Sequence, residues 1–448
     1  MSGPSGGSVN GEGRFGPLLQ NPGYLRVFSA GLGSTAGSAI AGICLIWIVW
    51  AATGSALDIG LLGAAYLAAA IAFSVFGGTI VDRYDRRRIM ILSDVARATA
   101  LAVVVAVLLR AGFDLPALLG ANFVLGAFST LFNPAEQSIV PTLVPSRLVA
   151  DANGLVRSSR STVQFVGASV GGVLIVTLGP VTGVGINVAT FLLSAALLTG
   201  MHVSSPRRAA AQLGGGARAY FADVSAGFRW LYRAQGFFQL TLSATFFNFF
   251  SSVVGTFLVV FATVILHGSA LVFAGLLAAE VAGTAIGSLL VSRLGAERWA
   301  GRAWTVPYGA VSGALAVLLA LVPSVPTAIA VLFALGALGG FAGTAWLTAA
   351  QLLVPTEMQG RYFGIDNLGS VAILPVAQIG GALLIGVWGT RTTYLVMGVV
   401  WLIAGLAFLV PRALWRLGYP PSPEDAASYR SDASAADTSR SPAGTLSD

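Results

Sequence analysis

Apolar blocks of membrane length recur along this chain, at 27–52, 57–81, 89–110, 115–140, 156–178, 183–203, 237–266, 270–294, 303–323, 326–350, 362–387 and 393–411. A helix of about 20 apolar residues crosses ~30 Å of hydrocarbon, and only a helix or a closed barrel satisfies its backbone there. Only 10% of the 448 residues are charged, against about 25% in a soluble domain. The expected fold is therefore all-α and polytopic, with twelve transmembrane helices.

Every basic residue is Arg. With the N-terminus inside, Arg83, Arg86, Arg87 and Arg88 fall in one inner loop, Arg207, Arg208, Arg218, Arg229 and Arg233 in the central one, and Arg293, Arg298 and Arg302 in a third. The outer loops keep Arg110 and Arg391. This asymmetry predicts that both termini are cytoplasmic, in the cell membrane. The net charge of +7 then reflects topology and lipid headgroups, with no nucleic acid as partner. Residues 1–26 and 412–448 are expected as disordered cytoplasmic tails, and no cleavable signal peptide is expected. Cys44 is the single cysteine and reads as a small buried apolar residue.

The segment from Val144, VPSRLVADANGLVRSSRSTVQFVGASVGGVLI, returns 210 residues later from Val354 as VPTEMQGRYFGIDNLGSVAILPVAQIGGALLI. Each copy starts with Val-Pro at an inner loop and ends on a Gly-Gly pair inside a span. Duplication predicts two pseudo-symmetric six-helix halves, 27–203 and 237–411, joined by a cytoplasmic loop at 204–236 with an amphipathic helix. That is a transporter architecture.

The loop after the second block, Gly-Gly-Thr-Ile-Val-Asp-Arg-Tyr-Asp-Arg-Arg-Arg, resembles the G-x-x-x-D-R-x-G-R-R signature of the major facilitator superfamily at Gly78, Asp82, Arg83, Arg86 and Arg87, with Asp85 in place of the second Gly. Asp94-x-x-Arg97, the stretch Phe132-Asn133-Pro134-Ala135-Glu136-Gln137 and the amphipathic segment from Tyr220 to Arg233 are similar to its branch of enterobactin and macrolide exporters. The resemblance implies a gate in that loop, with Asp82 meeting the eleventh span near 360–364 and Glu136 facing an Arg. On charge alone, the same Arg residues could equally anchor the loop in anionic lipid. Gly167-Ala168-Ser169-Val170-Gly171-Gly172 is similar to the G-P-x-x-G-G motif of proton-coupled exporters, with Ala168 replacing Pro. Gly167, Gly171 and Gly172 also read as plain small-residue helix packing.

Charges inside spans need a partner or a wet cavity, since each costs at least ~2.5–3.5 kcal/mol at mid-bilayer. Asp94 and Arg97, three apart, form either a structural brace or part of an ion path. Glu280 has no charged neighbour in its block before Arg293, and a lone carboxylate there could load a proton from one side and release it to the other, or stay protonated and bond a neighbouring helix. Asp366 and Asn367 are placed one turn into the eleventh span, towards the cytoplasm, where they could help the gate or bind substrate, and Asp366 is a further candidate for proton coupling. Thr241, Thr245, Asn248 and Ser252, at helical spacing beside Phe246, Phe247, Phe249 and Phe250, could line a cavity for an amphiphilic ligand, or bond their own helix. The family's cavity spans add Ser34, Ser38 and Trp346.

No P-loop with Lys, no H-E-x-x-H and no C-x-x-C occurs, so no enzyme, no nucleotide, no metal and no cofactor is expected. The function expected is proton-coupled export of a small amphiphilic compound by alternating access. Uptake symport, uncoupled facilitation and a non-transporting sensor or scaffold are the competing readings.

Overall fold

The computed structural model describes residues 16–145, 148–201, 228–295, 299, 306–322, 324–354 and 356–408, at a few helical positions by backbone alone. After one helical turn at Gly16–Leu19 come α1 Pro22–Thr53, α2 Ala56–Arg83, α3 Arg86–Arg110, α4 Leu115–Leu143, α5 Val149–Thr177 and α6 Pro180–Thr199. They are followed by α7 Gln235–Thr256, α8 Ala270–Leu294, α9 Ser312–Leu321, α10 Val325–Leu353, α11 Thr356–Trp388 and α12 Thr390–Ala407. Among the described residues, 9 helices are long and apolar enough to cross a membrane, and shorter apolar helices run at Thr162–Thr177, Tyr308–Leu321 and Ala372–Trp388. The chain is an all-helical, multi-pass membrane protein. Residues 1–15 and 409–448 and the central loop as far as Gly227 lie outside the described residues, whereas 16–26, expected as part of a disordered tail, form the turn Gly16–Leu19 and the start of α1, with Leu18 and Tyr24 buried.

Polar residues mark the helix starts. Asp85 accepts the Arg88 amide at 2.9 Å and caps α3, so the departure from the loop signature supplies an N-cap. Asp114, Ser269 and Ser324 cap α4, α8 and α10 in the same way. The repeat is visible in backbone conformation: Gly179 (φ 81°) and Gly389 (φ 77°) end the α5–α6 and α11–α12 turns, 389 − 179 = 210 residues apart. A left-handed φ is open to glycine without a Cβ penalty, so both copies keep it. The seventh block is not one continuous α-helix. It breaks at Phe257, resumes as a short α-helix at Leu258–Val260 that passes into a π-helix at Phe261–Ile265 and ends on the left-handed His267, and a second π segment at Val306–Val311 leads into α9.

By their contacts the residues part into two compact units, Met1–Leu45 with Ala69–Ala210, and Ile46–Ala68 with Ala211–Asp448. In the first, α3 packs between α4 and α6, and α5 lays Gly167 and Gly171 on the α1 backbone, where added Cβ atoms would stand 3.0 Å from the carbonyl oxygens of Ala36 and Ile40. Gly172 is buried beside them.

In the second unit α8 crosses α10 through two reciprocal small-residue motifs. A Cβ on Gly283 or Gly287 would collide with the carbonyls of Phe333 or Ala337, and one on Gly336 or Gly340 with those of Glu280 or Thr284. Such contact lets dispersion and Cα–H···O contacts hold helices together where lipid supplies no hydrophobic drive. The same unit takes in the first turns of α2, with Gly60 and Gly63 against Gln378 of α11.

Candidate functional site

The first unit buries charge at two points on adjacent helices. Asp94 on α3 is fully buried. Its Oδ1 accepts Arg97 Nη2 at 2.5 Å and its Oδ2 accepts the Ser194 hydroxyl at 2.5 Å. Arg97 also donates from Nε to the Ser93 carbonyl at 3.2 Å and from Nη1 to Ser129 at 3.5 Å. Its guanidinium lies 4.7 Å from the ring centre of Phe132 and 4.4 Å from that of Phe191. Aromatic faces attract a desolvated cation, so charge, hydrogen bonds and packing all hold this arginine. Ser34 is buried beside Asp94, while Ser38, one turn on, is exposed.

The second point is Glu136 on α4, 2% exposed, whose Oε2 receives Arg160 Nη2 from α5. Sequence reasoning missed Arg160. The available signal was a basic residue inside the fifth apolar block.

Two of the loop arginines bond backbone carbonyls of neighbouring helices. Arg86 donates to the Ser138 carbonyl of α4 at 2.9 Å. Arg87 donates from Nε to the Leu198 carbonyl at 2.7 Å and from Nη2 to Thr199, and Arg26 donates to Gly200. The last carbonyls of a helix have no intrahelical partner and carry its partial negative charge, so these guanidinium groups satisfy and neutralise the end of α6. The side chains of Asp82 and Arg83, the surroundings of Gly78 and, Tyr362 apart, the side chains of the 360–364 stretch expected opposite them lie outside what the structure describes.

In the second unit Glu280 sits on α8 at the crossing with α10. Its carbonyl receives the Thr284 hydroxyl at 3.0 Å, and its carboxylate has no hydrogen-bond or ion-pair partner among the described residues. Tyr308 and Tyr394 stand close enough to feel its charge, but the Tyr394 hydroxyl is committed to the Val254 carbonyl at 2.9 Å. Asp366 is 6% exposed, and its Oδ1 has no hydrogen-bond partner among the described residues. Helix α11 begins at Thr356, so Asp366 lies ten residues, about 15 Å, along it.

Thr241 is buried and donates to Tyr362 Oη at 3.4 Å, and Trp346 Nε1 donates to the same oxygen at 3.1 Å. Thr245 meets Gly369 of α11, while Asn248 and Ser252 are half-buried. The Phe run divides: Phe247 and Phe250 are buried against Trp401 in the unit's own aromatic core, and Phe246 is exposed. Those two rings therefore belong to the core and not to a cavity wall.

The Major Facilitator Superfamily model matches residues 27–370 and 240–440. This chain belongs to the Major Facilitator Superfamily. Among curated proteins it is 30% identical over 187 residues to the multidrug efflux pump Tap of Mycolicibacterium fortuitum, covering 40% of this chain and 44% of that one. It is 29% identical over 140 residues to macrolide efflux protein A of Streptococcus pyogenes, covering 31% and 34%. The matched region thus spans less than half the length of these relatives. Two solved structures share the fold: a bacterial homologue of the human lysosomal transporter Spinster (TM-score 0.66, 15% identity, 92% of this chain and 98% of that one) and the nucleoside transporter NupG (0.68, 10%, 86% and 98%). The superfamily resemblance of the loop signature and the all-helical fold expected from the apolar blocks are both confirmed.

Proposed function

We propose that this superfamily member exports a small amphiphilic compound from the cytoplasm by proton-coupled alternating access, with both termini cytoplasmic. Export is supported by the relatives, which are named as multidrug and macrolide efflux pumps. Orientation is supported by the Arg asymmetry. Coupling to protons is carried by one observation: Glu280, in an otherwise apolar stretch of α8, presents a carboxylate without a partner among the described residues. An intramembrane carboxylate of that kind marks an ion path by default. Its backbone is held by the α10 crossing, so the carboxyl group can change protonation without disturbing the helix that carries it.

In this reading Glu280 is the coupling group, taking a proton from the outside and giving it up to the cytoplasm as substrate leaves in the other direction. Thr245, Asn248, Ser252 and Trp346 are the nearest substrate contacts in the second unit, with Ser34 and Ser38 in the first. Asp82, Arg83, Arg86 and Arg87 form the cytoplasmic gate.

The test is Glu280→Gln, which keeps hydrogen-bonding shape and cannot titrate. In inside-out vesicles with an acid interior, accumulation of ethidium or a macrolide falls at least tenfold, while binding of the same probe to the purified variant is retained. Undiminished gradient-driven accumulation by the variant would remove Glu280 from coupling.

A further inference from the structure

The two buried ion pairs of the first unit differ in what a proton would do to them. Asp94 uses both oxygens, and Arg97 is 5% exposed and clamped between two rings. Neutralising Asp94 would take the carboxylate away from a cation that is itself buried.

Glu136 is bonded to Arg160 through Oε2, and its buried Oε1 has no partner among the described residues. The side chain of Arg160 is 26% exposed, and its Nε is also unpartnered. Room for Oε1 is made by Gly31 on α1, where a Cβ would collide with that oxygen. The charged and titratable groups facing Glu136 are Arg160 from α5, Asp94 and Arg97 from α3, and Tyr24 from α1. Of the two arginines, Arg160 alone can leave its carboxylate for solvent.

We propose that Glu136 is a second proton-exchanging carboxylate of the transport cycle, with Arg160 as its releasable counter-ion. The inference rests on the reading of the chain as a proton-coupled carrier and adds a site in the other unit. In the step, a proton from water forms an O–H bond at Oε1, the Nη2–H···Oε2 ion pair breaks, and Arg160 keeps its charge and is solvated. Loss of the proton reverses each change. The 210-residue repeat places Trp346 at the position of Glu136 (136 + 210 = 346) and Ser370 at that of Arg160, so the second unit has no counterpart of this pair. There the Trp346 indole is instead hydrogen-bonded to Tyr362.

Infrared difference spectra of the full chain in lipid nanodiscs, taken across pH, test the site. The protonated-carboxyl C=O band of the wild type should contain a component that E136Q lacks, that E280Q keeps and that E136D restores. In wild-type protein carrying isotope-labelled arginine, guanidinium bands should change in step with that component, a readout that stands if E136Q does not fold. A carboxyl band identical in E136Q and wild type, or arginine bands indifferent to it, would overturn the proposal. Failure of the wild type to move ethidium or a macrolide under a proton gradient would instead count against the carrier reading, with the titration still decided by its own spectrum.

Discussion

Replacing Gly336 with leucine removes folded protein from the membrane. The missing Cβ of Gly336 coincides with the carbonyl oxygen of Glu280, so the first atom of any side chain meets backbone, and no rotamer avoids it. Overpacking a core that can shift costs about 1–3 kcal/mol. Here α8 and α10 must separate along the whole crossing, because Gly283, Gly287 and Gly340 rest on carbonyls in the same manner, and the loss should exceed about 4 kcal/mol. The yield of monodisperse protein after mild detergent extraction should fall at least tenfold. Gly343→Ala, on the same helix with nothing within 4 Å of the added carbon, should leave it unchanged. Equal yields from both variants would mean that the crossing does not hold the second unit together.

Arg97→Ala should be nearly as damaging, for an electrostatic reason. It leaves Asp94 fully buried with one hydroxyl partner, and breaking a buried pair from one side costs about 3–5 kcal/mol. Removing both charges is different, since a buried pair replaced by apolar groups of similar size is often neutral. The double variant Asp94→Leu/Arg97→Met should therefore recover most of the extractable protein that Arg97→Ala loses. A double variant as poor as the single one would show that these side chains do more than brace α3 against α4 and α6.

The sequence made the lattice of helices legible because its signals are long: apolar blocks of membrane length and a repeat of 210 residues, the latter recurring in the paired left-handed glycines Gly179 and Gly389. What stayed hidden depends on which face of a helix meets which neighbour. That Arg86 reaches the Ser138 carbonyl of α4 and Arg87 the Leu198 carbonyl near the end of α6 could not be read from the sequence, which does not show which helix ends lie beside the loop. Glu136 and Arg160 lie 24 residues apart on different helices, beyond any local pairing rule. The α8–α10 glycines stand at ordinary four-residue spacing, and only the crossing shows that they oppose each other. Phe247 and Phe250 share helical spacing with the polar residues of α7, yet they turn into the core, because Trp401 of α12 closes over them.

Coupled export is the central claim, and one measurement addresses it directly. Purified wild-type protein is reconstituted into liposomes and sorted by orientation, and ethidium or a macrolide is added outside while a proton gradient, acid inside, is imposed. For molecules with the cytoplasmic face outward, the account predicts accumulation of the probe against its concentration gradient, collapse of that accumulation on adding a proton uncoupler, and probe-dependent alkalinisation of the lumen. Probe movement that only equilibrates, with or without the gradient, would contradict it.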